Sequence, residues 1–423
     1  MLRQARRFRP SFEALEDRTL LSTYYVAPSG NDGGTGLSDQ AAWKTLQHAS
    51  DMVQAGDTVV VRAGNYVGFD VRDKDGTATQ RITFKADPNV LINVRNNKTN
   101  DGINIEGVDY VTIDGFNVNG IGRTGIRTVT NTGVTIINCH CDANGTWGIL
   151  TGFSNNLLIQ NNVCSHSGTQ HGIYVSNSCV NPIVRGNTLF GNAGCGLHMN
   201  GDLSQQPGNG LITGALVDSN IIYDNGTAGG SGINCDGVQN SRIQNNILYN
   251  NHASGISLYR IDGADGSKNN IVINNTVLMA SDGRWALNIS DGSTGNQVFN
   301  NILWNYHSFR GAISITTDSL TGFASNTNVV IGRFTLDGGN TILNLAQWRQ
   351  QTGQDANSLT ATPTELFVNP ATNDYHLKPL SPAIGKASRP DITPAFDFEG
   401  TPRKRSAWLD IGADQTNFAG SRT

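Results

Sequence analysis

The chain has 423 residues, 49 of them glycine, with 15% charged residues and a formal net charge of -4. An acidic, lysine-poor surface argues against a nucleic-acid partner, whose phosphates demand a basic face. No apolar run is long enough to cross a bilayer, and length alone suggests two or three domains.

Residues 1–22 stand apart. Arg3, Arg6, Arg7 and Arg9 precede Leu15-Glu16-Asp17-Arg18-Thr19-Leu20-Leu21-Ser22. This resembles the bacterial N-terminal segment with a Leu-Glu-x-Arg-x-Leu-Leu-Ser core that precedes many exported proteins, and the resemblance implies a secreted, periplasmic or cell-surface protein. The segment lacks the apolar stretch of an ordinary signal peptide. Residues 23–100 are expected to supply an N-terminal cap and the first coils, with a short amphipathic helix over 41–54 covering the open lower end.

Residues 101–330 carry a repeat. Short apolar strands end on asparagine at Asn138, Asn162, Asn187, Asn220, Asn246, Asn275 and Asn301, at intervals of 24, 25, 33, 26, 29 and 26, with Gly115 as a degenerate lower rung. A second word, Gly-Ile or a variant, recurs in phase with its apolar residue at Ile103, Ile126, Ile149, Ile173, Leu197, Ile233, Ile256, Leu287 and Ile313. Such a period, with β-branched residues alternating with polar ones, predicts an all-β parallel solenoid. A solenoid grows by adding coils, so one long domain replaces the two or three suggested by length. In the coil that starts at Gly172, Ile173 and Val175 point inward and Tyr174 and Ser176 outward. The strands 183–187 and 189–190 follow, so three short strands close one coil. Right-handed coiling follows from the usual hand of parallel crossovers. Asparagine repeated at one corner predicts a hydrogen-bonded ladder through the stack. The six cysteines read as core filling, Cys235 taking the inward slot of Val175, Met199 and Leu258 in other coils.

Residues 331–423 are expected to form the last coils and an irregular C-terminal cap, with Trp348 covering core nearby. The motifs Tyr375-His376-Leu377, Ser381-Pro382-Ala383-Ile384 and Asp410-Ile411-Gly412-Ala413-Asp414 resemble the closing segment of exported bacterial β-helix proteins. The opening is also informative. Tyr24-Tyr25-Val26-Ala27-Pro28-Ser29-Gly30-Asn31-Asp32, then Trp43-Lys44-Thr45-Leu46 and Ala55-Gly56-Asp57-Thr58-Val59-Val60-Val61, is similar to the start of many secreted right-handed parallel β-helix proteins. That is the architecture of pectate, alginate and chondroitin lyases and of mannuronan C5-epimerases. The resemblance implies a polysaccharide substrate, with a monomer expected.

In this architecture the Gly-Ile strand is expected to floor a carbohydrate groove. Its outward positions place His198, Asn200, Asn234, Asp236 and Tyr259 on three successive coils. Insertions at 201–214 and 260–269 fall on the same coils and would wall the floor. A lyase or C5-epimerase removes the proton next to a uronate carboxylate, so it needs a base and an electrophile. His198, on the outer face with little core packing, is the expected base. Tyr174 or Tyr259 is the partner acid, and His171 approaches from the turn side. Asp236 joins the catalytic group, and Arg260 and Arg127 are the expected carboxylate clamps. Asn200, Asn234, Trp285 and Asn288 are expected substrate contacts. Calcium is the rival electrophile, with Asp202, Asp236 and Asp262 as its ligands. Lys268 is the one lysine between Lys98 and Lys378, which argues against a lysine base. A glycoside hydrolase, needing paired carboxylates, and a non-catalytic carbohydrate-binding solenoid are the alternatives.

Overall fold

The computed structural model describes residues 21–389, 391–403 and 408–416. The export-like segment, residues 1–22, lies outside them except for Leu21 and Ser22. The backbone coils as a right-handed parallel β-helix of three sheets. The first has 12 strands, from Thr23–Val26 to Ala324–Asn326, and the second also has 12, from Gly64–Val67 to Leu359–Thr360. The third has 11 strands, from Phe69–Val71 to Phe334–Thr335, and contains all the Gly-Ile strands. Each strand pairs in parallel with its copy one coil away, as Ile173–Asn177 does with Leu197–Gly201. Alternation puts Ile173, Val175, Leu197 and Met199 wholly in the core, and Cys235 sits in the predicted slot, between Met199 and Leu258 in register. All six cysteines are buried free thiols.

The asparagine ladder exists, with one shift of register at its lower end. Ile137 pairs with Gln160, so the ladder partner of Asn162 is Cys139, not Asn138: the Cys139 N–H donates to Asn162 Oδ1 at 2.9 Å. Asn138 belongs one residue earlier, in a column of left-handed turn residues that includes Gly115, Asn161, Gly186, Ser219, Asn245, Asn274 and Asn300. Asparagine and glycine tolerate that conformation, so Asn-Asn pairs carry both jobs: the first bends the chain and the second bonds across coils. The ladder also runs one rung higher than expected, because the Asn301 N–H donates to Asn328 Oδ1 at 2.9 Å. The other two corners carry shorter ladders, Asn192–Asn225–Asn251 and Asn270–Asn296.

Both ends are closed. A helix at Leu46–Met52, shorter than the expected span, caps the lower end. Its Leu46 and Ala49 are buried, and Thr45 accepts from the His48 N–H as N-cap. At the upper end the helix Leu345–Thr352 is bounded by a capping box at Asn344 and a left-handed Gly353. It drives Trp348 against Phe334, ring centroids 4.8 Å apart, and Trp348 has no exposed surface.

The closing segment is not an upper cap. It folds back along the flank, where Phe367, Leu377, Ala383, Ile411 and Ala413 bury the outward residues Ile247, Leu278, Ile302 and Val329 in a second apolar cluster. Asn274 Nδ2 donates to the carbonyls of Asp410 and Gly412, and Asn300 Nδ2 to that of Ser388. Within this segment Arg403 is buried and donates to the carbonyls of Gly412 and Ala413; burial pushes its pKa down to about 10. Among the described residues no helix is long and apolar enough to cross a membrane.

Candidate functional site

The outer face of the third sheet holds a groove of about 480 Å³ in the upper half of the stack. Its floor is one outward column, Asn234, Ser257, Asn288 and Ser314, held in line by the strand register. Tyr259, Ile261, Ser290 and Asp291 line one side, and Arg284, Trp285 and Arg310 the other. Of the expected contacts, Tyr259, Asn234, Trp285 and Asn288 therefore meet in one groove.

Arg284 and Arg310 were not expected. Ala286 pairs its N–H with the Gly311 carbonyl and Leu287 stands beside Ile313, so the two arginines occupy the same turn of adjacent coils, about 4.8 Å apart along the axis. Neither has a carboxylate partner among the described residues, and the polar contact of the Arg310 side chain is a long one, 3.4 Å to the Gly283 carbonyl. Their signal was present in the chain, since each lies three residues before the apolar residue of its Gly-Ile word. Arg123 has the same offset before Ile126 but is clamped by Asp101 at 2.8 and 2.6 Å.

Across the groove, the Asn234 amide donates to the Tyr259 hydroxyl oxygen at 2.7 Å. This leaves the hydroxyl hydrogen free to donate into the groove. Burial pushes the Tyr259 phenol well up, so it is a proton donor and not a base. Asp291 is the one carboxylate among the lining residues.

Asp236 faces the other way. Its carboxylate accepts from the backbone N–H groups of Ile261, Asp262 and Gly263 at 2.8 to 3.0 Å. Burial raises its pKa, and those three donors oppose the rise. Gly263 is needed for the approach, because a Cβ there would meet Asp236 Oδ1 at 2.9 Å. The residue expected to be catalytic or to bind calcium thus anchors the inserted loop that walls the groove. Asp236→Ala is expected to free that loop, with fast tryptic cleavage at Arg260 and Lys268 and a stability loss of about 1–2 kcal/mol. An uncleaved loop would show that other contacts hold it.

The calcium set is not assembled. Among the described residues Asp202, Asp236 and Asp262 do not converge as a metal-binding group. Asp202 Oδ1 accepts from Ser204 N–H and hydroxyl, and Asp262 faces solvent. Lys268 is paired with Asp265 at 2.7 Å. Arg127 lies four coils below Asn234, roughly 19 Å along the axis, and is neutralised by Glu106 at 2.7 Å. Arg260 is exposed at the strand end and does not line the groove.

His198, His171, Tyr174 and Asn200 form a separate cluster just below the groove. The Cys195 N–H donates to His171 Nδ1 at 3.0 Å, so the His171 proton is on Nε2. Nε2 lies 3.0 Å from His198 Nδ1 and donates to it, which puts the His198 proton on its own Nε2. Tyr174 stacks on His198, centroids 5.0 Å apart, and the Asn200 amide donates to the Tyr174 hydroxyl at 3.2 Å. Burial pushes His171 down to about 4. Burial and the neighbouring His171 take His198 well below its usual value. The lone pair of His198 is therefore already engaged, and its basicity is lowered. That geometry does not suit the base role expected of it.

Residues 80–209 match the family model described as the right handed beta helix region. No curated protein matches the sequence significantly. Among solved structures, that of pectate lyase Pel9A superposes with a TM-score of 0.63 over 94% of this chain and 96% of that one, at 15% identity. An alginate lyase from Paenibacillus sp. str. FPU-7 gives 0.52 over 63% and 94%, at 19% identity. A rhamnogalacturonan lyase gives 0.51 over 80% and 87%, at 15% identity. At these identities the likeness is one of fold, and it places the chain in the right-handed parallel β-helix class. Its chemistry has to be argued from its own groove.

Proposed function

We propose that this protein is exported from a bacterial cell, binds an extended, uronate-containing polysaccharide in the upper groove and removes the proton beside a uronate carboxylate, as a lyase or C5-epimerase does. The observation that carries the reading is the pair Arg284 and Arg310, two guanidinium groups on adjacent coils with no carboxylate partner among the described residues. Like charges so placed repel one another unless an anion joins them, and the planar fork suits a carboxylate. Neutralising the uronate carboxylate acidifies the adjacent C–H. Asp291 is the base this groove offers, and Tyr259 the acid that protonates the glycosidic oxygen or the opposite face of the carbanion. Trp285 is buried and brings only an edge to the groove wall.

Hydrolysis fits less well, because it needs two carboxylates at defined separation and Asp291 stands alone among the lining residues. The similarity of the superposed lyases' folds and of residues 15–22 to an export segment supports the substrate class and location. The test is ultraviolet absorbance of a 4,5-unsaturated uronate on mixing the protein with pectate, alginate and other polyuronates, with and without calcium. A rise that disappears in Asp291→Asn supports elimination. No rise, but solvent deuterium entering C5 by NMR, supports epimerisation. Neither signal, with binding retained, moves the reading to a non-catalytic carbohydrate-binding solenoid.

A further inference from the structure

We infer that His171, Cys195 and His198 form a binding site for one zinc-class metal ion, beside the groove and separate from the residues that line it. One nitrogen of each ring and the Cys195 sulfur lie within 4.8 Å of one another, the one such set of three among the described residues. The coil geometry makes the set. His171 and Cys195 each stand two residues before the paired Ile173 and Leu197, so they share a corner of adjacent coils. His198 is the first outward residue beyond Cys195. Two imidazoles and a thiolate are donors for zinc and other borderline or soft ions, not for calcium or magnesium. Three protein ligands leave one tetrahedral position for solvent or a ligand.

Neighbouring groups hold two of the three ligands in place. Tyr174 stacks on the His198 ring, and the Ser231 N–H donates to the Cys195 sulfur at 3.3 Å, a contact that favours the thiolate.

The proton balance is simple. On loading, the Cys195 thiol loses its proton to solvent and bonds the ion through sulfur. The His171 proton moves from Nε2 to Nδ1, which gives up the bond from the Cys195 N–H, and Nε2 takes the ion. His198 coordinates through Nδ1 and keeps its proton on Nε2. One proton leaves per ion bound.

None of this rests on the polysaccharide reading, and the test needs no substrate. The full chain, stripped with chelator and dialysed, is titrated with Co2+ as a spectroscopic probe and with Zn2+ for stoichiometry. The expected result is a thiolate-to-cobalt charge-transfer band that zinc abolishes, and one zinc retained per chain after gel filtration. Cys195→Ser should lose the band and weaken zinc by on the order of tenfold or more, with the melting transition of the ion-free chain as the check on folding. His198→Gln gives a second reading should the serine variant not fold. No thiolate band at saturating Co2+, or zinc held equally well by the folded variants, would overturn the assignment.

Discussion

Arg284→Ala and Arg310→Ala are each expected to weaken polyuronate binding by about 10- to 100-fold while leaving the melting transition nearly unchanged. The size follows from the loss of charge-assisted hydrogen bonds to a carboxylate, about 1.5–3 kcal/mol for each side chain. The insensitivity of the fold follows from how little either side chain touches. Arg284 is exposed, and Arg310 lies over the Phe309 ring at 5.4 Å with one long bond to a carbonyl. Wild-type binding should weaken steeply with added salt, and less so in the double variant, because the missing charges no longer respond to screening. Arg127→Ala is the contrast: that guanidinium is already spent on Glu106 and Asn104, so its removal should leave binding alone. If the double variant binds a polyuronate as the wild type does, the carboxylate is held elsewhere and the proposed function loses its support. Isothermal titration with an oligouronate long enough to cover four coils decides it.

Asn246→Ala is expected to cost about 3 kcal/mol, read as a lower urea midpoint. The Asn246 side chain makes four bonds inside the stack. Its oxygen accepts from the Asn220 N–H at 3.0 Å and the Asn220 amide at 2.9 Å. Its amide donates to the Val217 carbonyl at 3.1 Å and to Asn275 Oδ1 at 2.9 Å. Alanine strands the Asn220 N–H where water does not reach and removes the bonds to the Val217 carbonyl and to both neighbouring rungs; a buried orphan costs about 1–3 kcal/mol. The single-bond picture of a ladder underestimates this, because each rung serves both neighbours. Asn138→Ala provides the control. Asn138 is exposed, sits at φ 55° and has a side-chain bond to Asp114, so its loss should cost on the order of 1 kcal/mol, chiefly the left-handed backbone penalty for alanine. Equal costs at the two positions would mean that the ladder is not what holds the coils.

His198 shows how the outward columns mislead when read alone. Alternation correctly put it on the outer face, but the adjacent coils crowd it between Tyr174 and His171, and that enclosure costs it the basicity expected of a surface histidine. Asp236 was correctly placed beside the inserted loop, and the loop's own backbone then consumed its carboxylate. In contrast Tyr259, Asn234 and Asn288 line the groove, where Asn234 and Tyr259 bond to each other and Asp291 is the one carboxylate among the lining residues.

The coils, their three strands, the inward cysteines and the asparagine corner are legible in the chain for a physical reason. In a solenoid each coil packs on its neighbours at a fixed spacing, so the period of the residues is the period of the structure. The same locality explains the slip at Asn138, where an Asn-Asn pair carries two corner roles and a lone asparagine does not say which one it fills. Other features depend on contacts that no period encodes. The fold-back of Phe367, Leu377, Ile411 and Ala413 onto Ile247, Ile302 and Val329 joins segments more than a hundred residues apart in places. The vacancy of Arg284 and Arg310, against the occupied Arg123 and Arg127, depends on which carboxylate the neighbouring coil happens to present. Strand register sets which side chains face the groove, but only packing around them settles which remain free to meet a ligand.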